Sequence, residues 1–170
     1  MQRMLATAVL LLGGGFGLHG QSAGGQASEA KSLNLTAYAE LLRSDVRAEK
    51  VAILTEVMGF TEAEDAKFWP IYREYDAEMA KLGDQRVALI ADYARDYGTL
   101  TDASADNLAT RALELEAQRQ AVKAKYYEKV KTVLSPRTAL RYLQVEQQLL
   151  LLIDLQISAA LPIAPPITKR

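Results

Sequence analysis

Two acidic pairs, Glu74/Glu78 and Asp92/Asp96, are spaced one helical turn apart, so each pair shares a face. Paired carboxylates of this kind can bind Ca²⁺ weakly or divide acid and base roles in a hydrolysis. Both chemistries need more than the pairs. Ca²⁺ requires further oxygens from a shaped loop, and hydrolysis requires a cleft with a positioned nucleophile or base. The chain of 170 residues has no cysteine and one histidine, His19. Thiol nucleophiles, disulfides, Ser-His or Cys-His pairs and Cys/His zinc sites are therefore excluded once His19 is set aside. Gly13-Gly14-Gly15 is not followed by the lysine and hydroxyl of a phosphate loop. No catalytic residue, no metal ligand and no cofactor is expected.

His19 is set aside because the N-terminus reads as a secretory leader. Arg3 supplies the positive start, Leu5 to Leu18 the apolar stretch, and Gly25-Gln26-Ala27 the small residues of a cleavage site. Cleavage after Ala27 removes one Arg and no acid, which moves the net charge from −1 to −2. The apolar run falls short of a span of roughly 20 residues and is broken by glycines, so no stable membrane insertion is expected after cleavage. A secreted or periplasmic protein follows. Residues 28–35 read as a flexible linker.

The remainder must position any site, and it reads as all-α. Apolar stripes of helical period define four helices, at about 36–58, 62–97, 102–133 and 136–160, in one domain covering 36–160. Tyr38, Leu41, Leu42, Val46, Ile53, Leu54 and Val57 mark the first, and Gly59 suits its end. Thr61 and Glu64 form a capping box at the second. Thr101 caps the third, and Ser135, followed by Pro136, caps the fourth. Pro70 predicts a kink or a break near Trp69. Pro162, Pro165 and Pro166 predict an irregular tail over 161–170. Helices two and three are long enough, at roughly 45–55 Å, to give an elongated antiparallel hairpin with shorter helices packed on it. That shape buries little surface per residue, so a homodimer is expected.

Charge is divided along the chain. Glu56 to Asp106 holds twelve acids and five bases, and Arg119 to Arg141 seven bases and one acid. The acidic helix can pair with its basic neighbour and set the hairpin register. The basic stretch can instead offer Arg119, Lys123, Lys131, Arg137 and Arg141 as a surface that draws acidic or unfolded chains. No nucleic-acid motif accompanies it, and no nucleic-acid partner is expected. Leu149-Leu150-Leu151-Leu152-Ile153 is apolar on every side of its helix, which favours a core or dimer contact for Leu149, Leu150, Leu152 and Ile153 over an apolar patch offered to clients or lipid. Trp69 and the tyrosines of the second helix fall at core spacing.

Phe60-Thr61-Glu62-Ala63-Glu64 with Phe68-Trp69-Pro70-Ile71-Tyr72, then Leu100-Thr101-Asp102-Ala103-Ser104 and Leu134-Ser135-Pro136-Arg137-Thr138, resemble the Leu-Thr-x-x-Gln motifs of the Spy/CpxP family. Glu64, Ser104 and Thr138 stand where those motifs carry Gln. The resemblance implies a small periplasmic all-helical protein, a cradle-shaped antiparallel dimer, and a role as an ATP-independent chaperone or envelope-stress adaptor. The family's zinc-binding branch uses His and Cys near the N-terminus, and the mature chain has neither. The expected partners are protein clients, or one dedicated partner if the protein is a structural scaffold of the envelope.

Overall fold

The structure, a computed structural model, describes residues 49–166. The leader, the linker and positions 36–48 of the first helix lie outside the described residues, as do 167–170. Helix α1 is seen over 49–58, followed by α2 (Glu62–Asp96), a 3₁₀ turn (Tyr97–Thr99), α3 (Asp102–Val133) and α4 (Pro136–Ala160). No strand occurs among the described residues.

Local chemistry sets each boundary. Gly59 ends α1 at φ +56°, a left-handed conformation that glycine adopts without steric cost. At Thr61 the hydroxyl accepts from the Glu64 N–H, and the Glu64 carboxylate accepts from the Thr61 N–H at 3.0 Å. Thr101 and Ser104 close the same box: Ser104 Oγ accepts from the Thr101 N–H at 2.9 Å, so serine serves where glutamate does in α2. Ser135 accepts from the Thr138 N–H at 3.0 Å, and Pro136 fills the first helical position. Helix α2 continues through Pro70, which rules out two separate helices there.

Contacts between helices fix the topology. Lys129 pairs with Glu74 and Lys125 with Glu78, each at 2.6 Å, and Arg111 pairs with Asp92 at 2.8 Å. Numbers rise along α2 as they fall along α3, so the two form an antiparallel hairpin, each arm about 50 Å long. The acidic helix thus faces the basic one and sets its register. Hydrogen bonds from Lys125 and Tyr126 hold the Glu78 carboxyl below its usual range, and Arg111 does the same for Asp92. Arg119 meets Asp154 and Lys123 meets Gln147, which places α4 antiparallel to α3. Arg141 donates to the Val57 carbonyl and Lys50 to Glu146, which places α1 antiparallel to α4.

The core lies where α1, α2 and α4 converge. Phe68, Tyr72 and Tyr75 of α2, Tyr126 of α3 and Tyr142 of α4 are all buried with Leu54, Met58 and Val130. Tyr75 meets Tyr126 and Tyr142 edge-on at 5.4 and 5.9 Å between ring centres. Phe68 meets Tyr142 in the same way at 5.4 Å. Each such pair adds about 0.5–1.5 kcal/mol beyond the area it buries. Large rings are needed here because α2 and α4 meet only through long side chains, with no close backbone approach.

Candidate functional site

The ring cluster surrounds a buried ionic centre. Glu146, 1% exposed, accepts from Lys50 Nζ at 2.6 Å and from the Tyr75 hydroxyl at 2.9 Å, both on Oε1. Its Oε2 is buried with no hydrogen-bond partner among the described residues. Burial, followed by the Glu146 charge, pushes the Tyr75 and Tyr142 phenols far up, so both stay protonated. Lys50 also sits 5.8 Å from the Tyr75 ring centre. Acid, amine and phenol are all buried, and of the three Lys50 lines the adjoining cavity. The trio clamps α1 and α4 to α2.

Beyond Tyr75 and Tyr142 the facing side chains become small. Met79, Ala80, Gly83 and Val87 of α2 face Leu150, Ile153 and Ile157 of α4 across a cavity of about 110 Å³. Arg86 and Arg119 both bond Asp154 at its wall, and Arg119 also bonds Glu116 at 2.7 Å. Farther along, a second apolar groove of about 400 Å³ opens between the distal ends of α2 and α3. Leu89, Ile90, Tyr93, Leu108, Ala112 and Leu115 line it, with Leu161 and Ala164 of the tail. Leu151, Leu152 and Leu155 stand on the outer face of α4, 56%, 59% and 67% exposed.

Of the five cations expected to form a binding surface, two are buried and three lie nearer the surface. Arg119 and Lys123 are buried, at 7% and 8% exposure, on the face of α3 that carries Leu115, Tyr126 and Val130. Burial lowers the Lys123 pKa, with the Arg119 charge adding to the effect. Lys131 pairs with Glu128 on its own helix, and Arg141 holds the Val57 carbonyl at 2.6 Å. Arg137 is exposed. The leucine run is divided: Leu149 and Leu150 are buried, Ile153 lines the 110 Å³ cavity, and Leu152 faces out. Thr61, Thr101 and Ser135 all cap as expected, with Glu64 closing its box.

The acidic pairs have the cations of α3 and α2 as neighbours. Glu74 and Glu78 bond Lys129 and Lys125, while Asp92 and Asp96 bond Arg95. Among the described residues no group of three or more His, Cys, Asp or Glu is placed to hold a metal. No described helix is long and apolar enough to cross a membrane.

Among the described residues Lys50, Glu146, Arg119 and Lys123 are the buried polar side chains, and sequence reasoning did not single out the first two. A signal was present: Lys50 is one turn from Leu54, and Glu146 one turn from Tyr142 and Leu150, so both fall on apolar stripes. Comparison with models of known protein families gives no match. Neither a curated protein nor a solved structure matches the chain.

Proposed function

We propose that this chain is a non-catalytic helical protein of the periplasm or secreted space that holds apolar segments of partly unfolded proteins. One observation carries this: Leu151, Leu152 and Leu155 are exposed together on α4. Apolar surface grouped in this way marks an interaction site more often than solvent-facing structure. The leader over 1–27 and the resemblance of the three capped helix starts to Spy/CpxP motifs support the same assignment. The contact is mainly apolar, because the cations of α3 are engaged within the hairpin. Its strength should therefore change little with salt, unlike attraction to an exposed basic surface.

Light scattering of an aggregating client, followed at several salt concentrations, tests this. Suppression at a several-fold excess of the chain, nearly independent of salt, is the expected result. Unchanged scattering removes the holding function, and a pull-down that then yields one stoichiometric partner favours a dedicated scaffold. A homodimer, with a second copy over part of the leucine face, fits the elongated shape. Sedimentation as a compact monomer at micromolar concentration excludes it.

A further inference from the structure

Helix α4 ends at Ala160, and the chain then runs on across the distal end of the hairpin. Leu161 is extended at φ −85°, ψ 125°, as suits a residue before proline. Pro162, Pro165 and Pro166 fix their own φ near −65°, the range of a polyproline II strand with three residues per turn. That period puts residues 161 and 164 on one edge. Leu161 and Ala164 are the tail residues that line the 400 Å³ groove, while Ile163 between them is 90% exposed. Two tyrosines grip the backbone: Tyr93 donates its hydroxyl to the Pro162 carbonyl at 2.7 Å, and Tyr97 to the Ile163 carbonyl at 3.0 Å.

These contacts recognise a class of segment. Hydroxyl donors read carbonyl oxygens, which every residue has, and proline needs no partner for a missing N–H. The groove then asks for an apolar side chain at every third position. Ala164 supplies a single methyl and is itself exposed, and the groove stays open with the tail in place.

We propose that the groove between the distal ends of α2 and α3 binds an extended, proline-bearing apolar segment of another protein, and that the chain's own tail lies along its edge in cis as a displaceable stand-in that fills it only in part. This rests on the holding function proposed above and names the class of segment held. A tethered tail competes at high effective concentration, so a segment in trans must fill the groove better than Ala164 does.

Labelled peptides with the sequence of residues 159–166, one unchanged and one carrying Ala164→Leu, test this by fluorescence anisotropy. They are titrated with the full chain and with its Leu161→Asp variant, which dislodges the tail and leaves the walls that α2 and α3 supply unchanged. Both peptides should bind the variant at least about tenfold more tightly than the unaltered chain, and the Ala164→Leu peptide should gain about tenfold more. Adding Tyr93→Phe and Tyr97→Phe should weaken both, and a peptide with its prolines replaced by alanine should bind less tightly. A chain ending at Ala160 gives a second tail-free groove and should match Leu161→Asp. Equal affinity for tailed and tail-free chains, absence of binding to either tail-free chain, or indifference to the tyrosines or to the prolines would overturn the proposal. Peptide binding with unchanged client scattering keeps this site and removes the general holding function; client suppression without peptide binding does the reverse.

Discussion

The two ends of the hairpin are built from similar helices and filled differently. At the end near Phe68, five aromatic side chains from three helices close the space between α2 and α4. Next to the rings, an alanine, a glycine and aliphatic side chains leave about 110 Å³ open, and toward Tyr93 a groove of about 400 Å³ lies open. The contrast holds between α2 and its neighbours, because on the other side of the rings a groove of about 540 Å³ lies open between α3 and α4, lined by Lys123, Tyr127, Leu143 and Gln147. Rings fill the space between α2 and α4 at one end, and small and aliphatic side chains leave space at the other.

The contrast breaks first by truncation. Phe68→Ala should cost about 3–5 kcal/mol of stability, the range for a large side chain removed from a packed core. Leu108→Ala, on the half-exposed groove wall, should cost only about 1 kcal/mol. Denaturant unfolding of both variants checks this, and equal costs would erase the distinction.

Next comes the buried pair. Lys50→Met leaves Glu146 charged, buried and without its cation, which should cost about 3–5 kcal/mol. Lys50→Met with Glu146→Leu should recover most of that loss, because no stranded charge remains. A double-mutant cycle measures the coupling.

Alkali should attack the ring end selectively. The Tyr75 and Tyr142 phenols are raised in the folded state. Unfolded tyrosine ionises near pH 10, so above that pH the unfolded chain binds fewer protons than the folded one. Stability is then intact below about pH 10 and falls by roughly 3 kcal/mol per pH unit above it for the two residues together. Tyrosinate absorbance should rise in step with loss of helix. Ionisation that precedes unfolding would mean the rings are open to water.

The smallest effect belongs to the hairpin ion pairs. Glu78 has a lowered folded pKa, so its contribution is present above the ordinary value of 4.5 and is lost as pH falls. The pair is partly in water, so Glu78→Gln should cost under about 1 kcal/mol at neutral pH and nothing in acid. Urea unfolding at the two pH values distinguishes these.

Much of the fold was legible because it depends on local rules. Thr61, Thr101 and Ser135 mark helix starts through hydroxyl geometry, and the split between acidic and basic spans foretells the ion pairs of α2 with α3. Ser104 was harder to read, because its box relies on a short hydroxyl in place of a long carboxylate. The site was less legible. Arg119 and Lys123 look like surface cations by type, yet they share a stripe with Leu115, Tyr126 and Val130, and stripe position decided their burial. The grooves were not legible, since they depend on side-chain volume summed across α2, α3 and α4 at positions distant in sequence. The tail's docking was hidden as well, because Tyr93 and Tyr97 bond carbonyls about 70 residues away, and backbone acceptors leave no trace in residue type.

The most direct test of a stable ring end and a receptive far end is amide hydrogen exchange, with and without a partly unfolded client. Added protection should appear in α2 beyond Leu82, in the first half of α3 and in α4 from Leu151 onward, while the segments around Phe68, Tyr126 and Tyr142 stay unchanged. Protection centred on the ring end, or spread evenly along the hairpin, would contradict the division of labour between the two ends.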